Sequence, residues 1–247
     1  YDIAIGYLEK SSIYFIVDKV EAKKKIGWIH TNYSNSGMDQ QLDYPYFQQL
    51  DHIVTVSEEC AESIKIHFPD LTNKVKVIGN IVSPAIIYTL SNHEVQSDFI
   101  QEKECTSVVT VARLGNEKGI DMAIEACDVL KKSGRQLRWY VLGYGTEKEQ
   151  KEMASTIKHK DLQNHFKLLG VKENPYPYIK KADIYVQPSR YEGKSIAIDE
   201  AKILQKPIVV TNFSTAKDQI NDDENGLIVE MNGESIAAGI EKLIADN

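Results

Sequence analysis

The chain has 247 residues, 42% hydrophobic and 26% charged, with 29 Lys and Arg against 36 Asp and Glu for a formal net charge of −7. That length suits one large or two ordinary α/β domains, and the acid excess argues against a nucleic-acid partner. Cys60, Cys105 and Cys127 are few and widely spaced, which fits buried small hydrophobes in a reducing compartment better than a disulfide framework or a metal site.

No apolar run approaches the length of a membrane-spanning helix and no signal peptide opens the chain, so a cytoplasmic protein is expected, with peripheral attachment to the inner face of the membrane left open. Tyr1-Asp2-Ile3-Ala4-Ile5-Gly6 already reads as a strand and no initiator Met precedes it, so the chain is expected to be a fragment of something longer.

Strand and helix signals alternate over residues 1–82. Asp2–Ile5 reads as a strand, Ile13–Val20 as a helix through Ile13, Ile16, Val17 and Val20, and Lys25–Thr31 as a second strand. Tyr44–Leu50 is a short helix and Asp51–Val56 a third strand. Ser57 caps a helix to about His67, with Glu58 and Glu59 where the dipole favours acids, and Lys74–Ile78 is a fourth strand. Repeated βα units of this kind predict a parallel sheet covered by helices. Residues 83–104, with Ser83-Pro84 and a polar run from Asn92 to Asp98, break the rhythm and read as an interdomain linker with at most a short strand or helical turn.

The alternation resumes over residues 105–247. Ser107–Ala112, Leu137–Leu142, His165–Leu169, Asp183–Gln187, Pro207–Thr211 and Leu227–Val229 read as strands. Gly119–Lys132, Thr146–His159 in capping-box register with Glu149, Pro175–Lys181, the run from Ile196 to Leu204, and Glu234–Ala245 read as helices. Two Rossmann-like domains with parallel sheets flanked by helices are expected: 1–82 as a partial, incomplete N-terminal domain, 83–104 as the linker, and 105–247 as the C-terminal domain.

The chemistry-bearing residues fall at strand ends. Arg113 emerges where Ser107–Ala112 ends and Lys118 stands where the next helix begins, so a guanidinium fork and a compact ammonium can hold a diphosphate from two sides. Taken alone, such a pair is more often surface charge. Glu192 lies in the turn after Asp183–Gln187 and Glu200 just over a turn into the following helix, at the kind of junction where ligands sit in open α/β sheets; the bland alternative is a loop acid and an exposed helix acid. Leu142-Gly143-Tyr144-Gly145 lacks the third glycine of a dinucleotide fingerprint, so Gly143 reads as a tight turn that lets backbone approach a ligand or a neighbour. His30 ends an apolar strand, a position that is usually structural and here is also a candidate for substrate contact. The remaining histidines show no metal-ligand spacing with acids or cysteines.

Taken together, Val111–Gly119 and Pro188–Pro207 resemble the retaining glycosyltransferases of family 4, which have the GT-B fold. The likeness rests on the Arg and Lys after the first strand of the C-terminal domain and on paired acids with seven residues between them, Glu192 and Glu200. Leu142–Gly145, Phe166–Gly170, Ala182–Ile184, Gln187–Ser189 and Glu224–Val229 follow in family order, as do Ile29-His30, Val54–Ser57 and Val77–Asn80 in the first half.

The resemblance implies a transferase that moves a sugar from a UDP- or GDP-linked donor to a glycan or lipid-linked acceptor in surface polysaccharide or glycolipid synthesis. No metal and no cofactor are expected, the nucleotide sugar being a substrate. It implies that Arg113 and Lys118 bind the diphosphate, Glu200 the ribose hydroxyls, Glu192 the donor sugar, and His30 the sugar or acceptor. Donor contacts would also come from Gly143 and from Gly193, Lys194, Ser195 and Ile196, whose amides would meet the phosphates. Many members have an aromatic residue, a Gly and an aliphatic residue where this chain has Lys194-Ser195-Ile196, and a common acid after the histidine where it has Thr31. The family's N-terminal glycine-rich loop is absent, and its last crossover helix is expected to be missing or short after Asn247. The alternatives are a non-catalytic nucleotide-binding fragment, a nucleotide-sugar epimerase and, less well supported by the glycines, an NAD-dependent oxidoreductase.

Overall fold

A computed structural model describes residues 1–245. Contacts divide the chain into two units, Tyr1–Ile81 with Tyr191–Lys194, and Val82–Arg190 with the chain from Ser195 onward. The last two residues of the expected 105–247 domain lie outside the described residues.

The first unit holds a parallel sheet of four strands in sequential order: β1 (Ile3–Gly6), β2 (Lys24–Ile29), β3 (His52–Thr55) and β4 (Val75–Val77). Helices α1 (Ser11–Lys19), α2 (Gln40–Phe47) and α3 (Glu58–His67) connect them. Asp39 caps α2 through the Gln41 and Leu42 amides, and Ser57 caps α3 through the Cys60 amide at 3.2 Å, as its position before two glutamates predicts. Helix α2 begins four residues earlier than expected, because Asp39 supplies a cap, and it carries Pro45 within it.

Strand pleating sends Ala4, Ile29 and Ile53 into one core with Ile13, Ile16, Phe47, Ile64 and Phe68 from the helical segments. The alternate positions Ile3 and Ile5 point the other way and are 55% and 49% exposed. Tyr7, two residues on from Ile5, is 58% exposed and packs its ring against Trp28 and His30 at centroid distances of 5.0 and 4.8 Å. A parallel sheet is ordinarily covered on both faces; here β1 and part of β2 present an apolar face to solvent.

The second unit is a six-stranded parallel sheet flanked by helices on both faces. Its strands are β5 (Thr106–Val111), β6 (Leu137–Leu142), β7 (Phe166–Gly170), β8 (Ile184–Gln187), β9 (Ile208–Thr211) and β10 (Leu227–Val229), in the order β10-β9-β8-β5-β6-β7. Its helices are α4 (Pro84–Ser91), α5 (Ile120–Lys132), α6 (Glu147–His159), α7 (Tyr176–Lys181), α8 (Ile196–Ile203) and α9 (Gly233–Ala245). Successive residues serve opposite layers. Val108, Trp139, Val141, Ile184, Val186 and Val209 face the core beneath α5 and α9, while Val109, Tyr140, Tyr185, Ile208 and Val210 face the core beneath α7 and α8. This is why these strands read as continuous apolar runs: both faces are buried, and each large side chain contributes about 1.5–3 kcal/mol. The Thr146–Glu149 capping box forms as its spacing predicts.

The expected linker over 83–104 is corrected by the structure. Pro84 occupies the first turn of the eight-residue helix α4, and Ile87 and Phe99 are buried in the α7–α8 core, so this polar-looking stretch is an integral layer of the second unit. Conversely, Tyr191–Lys194, expected in the C-terminal domain, groups with the first unit. Ser57 Oγ donates to the Gly193 carbonyl at 3.2 Å and Asn80 Nδ2 to the Lys194 carbonyl at 3.5 Å.

Candidate functional site

In the second sheet the chain winds outward from β5 through β6 to β7, then returns to the other side of β5 with β8 and continues to β9 and β10. The winding therefore reverses between β5 and β8, which are hydrogen-bonded neighbours. Strand ends at such a reversal diverge above the sheet and leave a crevice, where ligands of open α/β sheets bind. The two clusters singled out in the sequence, Arg113–Gly119 after β5 and Ser189–Glu200 after β8, begin at this reversal.

The first loop and the start of the second are locked together. The Arg190 amide donates to the Glu117 carbonyl at 2.8 Å, and its guanidinium donates to the Asn116 carbonyl at 2.7 Å and to both Asp121 carboxylate oxygens at 2.8 and 2.6 Å. Burial alone would raise the Asp121 carboxyl, but Arg190 holds it below the ordinary range. Gly119 sits at φ +62°, and a Cβ there would lie 1.9 Å from the Pro188 carbonyl oxygen. Only a residue without a side chain permits this approach.

A buried polar chain supports the turn from beneath. Tyr185 donates to Gln187, Gln187 Nε2 donates to Ser189 Oγ at 2.9 Å, and Thr211 donates to the Ser189 carbonyl. Helices α5 and α8 both start at this reversal, and neither has a side-chain cap on its first amides, so two helix dipoles favour negative charge there.

Lys118 is half-buried at the end of a 3₁₀ turn over Asn116–Lys118. Arg113 is exposed and pairs with Glu117 at 2.9 Å. Glu200, on α8, accepts a hydrogen bond from the Tyr176 hydroxyl at 3.0 Å. Burial raises the Glu200 carboxyl above its ordinary value, with Tyr176 opposing and Asp199 adding to the rise, while burial and Glu200 push the Tyr176 phenol up to about 12.

Two predicted donor contacts are engaged within the protein. The Ser195 amide donates to Gln219 Oε1 at 2.8 Å. Gly143, at φ +148°, packs its backbone onto the Ala112 carbonyl, where a Cβ would lie at 1.9 Å, so it serves the approach to a neighbour that its turn allowed. Ile196 is exposed at the head of α8.

Glu192, Gly193, Lys194 and His30 belong to the first unit. Glu192 is 7% exposed. A Cβ on Gly193 would lie 1.8 Å from the His30 carbonyl oxygen, so the structure brings that histidine and this turn together through backbone packing. The Lys194 ammonium lies 3.4 Å from where a Cβ on Gly79 would stand. Burial lowers the His30 pKa, with Glu9 opposing, and its Nδ1 is buried without a hydrogen-bond partner among the described residues.

Arg190, Asp121, Tyr176 and Gln219 were not singled out in the sequence. Arg190 lies two residues before Glu192, which is a signal; Gln219 carries none. Among the described residues no group of three or more His, Cys, Asp or Glu side chains is placed to hold a metal ion, and no helix is long and apolar enough to cross a membrane.

Two α/β units, the second doubly wound, are the architecture of GT-B glycosyltransferases. The family model described as "Glycosyl transferases group 1" matches residues 91–247, and the chain belongs to that family. It is 27% identical over 181 residues to an uncharacterized glycosyltransferase of Methanocaldococcus jannaschii, covering 72% of this chain and 44% of that protein. It is 26% identical over 218 residues to the Campylobacter jejuni N-acetylgalactosamine-N,N'-diacetylbacillosaminyl-diphospho-undecaprenol 4-alpha-N-acetylgalactosaminyltransferase, covering 87% of this chain and 57% of that protein. The chain thus spans about half the length of these curated relatives. Among solved structures, Anabaena HepE in complex with UDP-glucose superposes with a TM-score of 0.80 at 18% identity, over 100% of this chain and 70% of that one.

Proposed function

We propose that the crevice at the ends of β5 and β8 binds a nucleotide-diphosphate sugar, and that the protein is a retaining glycosyltransferase of family 4 acting on a glycan or lipid-linked acceptor in surface polysaccharide or glycolipid synthesis. The observation that carries this is the locking of the Arg113–Gly119 loop against the Pro188–Arg190 turn at the switch point. This sets two cationic side chains and two helix starts at the ends of neighbouring strands. The HepE complex with UDP-glucose supports a UDP-linked donor. The diphospho-undecaprenol in the name of the C. jejuni relative supports a lipid-linked acceptor and action at the inner face of the membrane.

In this mechanism the bond between the sugar's anomeric carbon and the diphosphate breaks with its electrons on the diphosphate, an acceptor hydroxyl oxygen bonds to that carbon, and the hydroxyl's proton passes to the departing diphosphate. Arg113 and Lys118 stabilise that charge in place of a metal. Arg113, itself exposed, must share or leave Glu117, a surface pair worth about 0.2–1 kcal/mol, against about 1.5–3 kcal/mol for a desolvated charge-assisted contact, so phosphate wins. Glu200 accepts from the ribose hydroxyls, and Glu192 and His30 are assigned to the donor sugar. The apolar face of β1 and β2 supports a further proposal, that the whole protein carries additional chain that covers it.

UDP or GDP is expected to raise the melting temperature, with NAD leaving it unchanged, and Glu200→Ala and Lys118→Ala each to abolish the shift. A shift unchanged in both variants would overturn the site. A panel of radiolabelled nucleotide sugars with membrane extract as acceptor identifies the sugar and its destination.

A further inference from the structure

We infer that Gln219 is a positioning residue of the nucleotide site, acting through the start of α8; the inference rests on the donor reading above. Gln219 is buried and follows the short 3₁₀ turn over Ala216–Asp218. Its side-chain amide pairs with the backbone of Ser195 as one strand pairs with another. Oε1 accepts the Ser195 N–H at 2.8 Å, and Nε2 donates to the Ser195 carbonyl at 2.8 Å and to Asp199 Oδ1 at 3.0 Å.

These bonds matter because α8 has little of its own to fix its first turn. Ser195 makes no side-chain cap, and the first intrahelical bond, from the Asp199 amide to the Ser195 carbonyl, is long at 3.5 Å. A reciprocal amide pair sets both the distance and the twist of the residue it holds, which a single hydrogen bond does not. Gln219 therefore fixes the direction of the helix that carries Glu200. Its carbonyl also accepts from Lys202 Nζ at 2.7 Å, a second tether farther along α8. A glutamine that served packing alone would be replaceable by methionine, which has nearly the same length and volume.

The test is calorimetric titration of UDP and GDP into the wild-type chain, Gln219→Met and Lys202→Met, with melting temperatures in parallel. Loss of the amide pair predicts that Gln219→Met binds the wild type's preferred nucleotide at least about fivefold more weakly. Lys202→Met, which loses only the distal tether, stays within about twofold of wild type. Both variants lose some thermal stability, so affinity, not melting temperature, separates positioning from support. If Gln219→Met does not fold, Gln219→Glu, which keeps one acceptor and loses both donors, is judged by the same affinity criterion. Wild-type affinity in the glutamine variant overturns the positioning role while leaving the nucleotide site standing. A wild-type chain that binds neither UDP nor GDP overturns the site and the inference together.

Discussion

Glu200 is the residue whose chemistry the fold alters in a way a titration can follow. Burial raises its carboxyl, Tyr176 pulls it down and Asp199 pushes it up. The ionised form is therefore the one the fold disfavours, so acidification through the raised pKa relieves a cost to stability. On the proposed ribose role, binding runs the other way: two ribose hydroxyls need acceptor lone pairs, and a proton on Glu200 removes one. Affinity for UDP, used as the probe of the proposed site, is expected to hold at neutral pH and to fall on acidification at a pH above the ordinary glutamate value. Tyr176→Phe, which removes the opposing hydrogen bond, moves that fall to higher pH, and Glu200→Gln flattens it. Calorimetry across the range checks all three, and an unchanged midpoint in Tyr176→Phe would contradict the pairing.

Among the elements, the loop after β5 and the turn after β8 depend on a glycine. Gly119 is in the left-handed region with the Pro188 carbonyl against it. Gly119→Ala is expected to cost about 2 kcal/mol or more, about 1–2 kcal/mol of it from backbone strain. Gly134 is also left-handed, at φ +86°, but nothing among the described residues lies within 4 Å of its Cβ position. Gly134→Ala should therefore cost only the strain, about 1–2 kcal/mol. Urea unfolding distinguishes them, and equal costs would mean that the approach to Pro188 is looser than the structure shows. The helix starts were legible in the sequence, because helix periods and turn residues are local signals, although Gly119 read as the first helical residue and not as a left-handed residue packed on Pro188. The Arg190–Asp121 fork was not, because it joins residues 69 apart whose charges are ordinary surface charges until the turn is folded.

Over the whole molecule, what the sequence concealed follows from the same limit. The stretch 83–104 looked like a linker because its second half is polar, yet Ile87 and Phe99 are anchored in a core assembled from distant strands. Tyr191–Lys194 read as continuous with its neighbours, yet its backbone bonds to Ser57 and Asn80. The doubly wound sheet was legible through its apolar runs, whereas strand order, and hence the switch point, emerged only from pairing. The central claim is that this switch point holds a nucleotide diphosphate. Hydrogen exchange with and without UDP tests it most directly. Protection is predicted in 113–119 and in the start of α8 at 195–200, and none with NAD. Protection confined to other segments, or the same pattern with NAD, would contradict it.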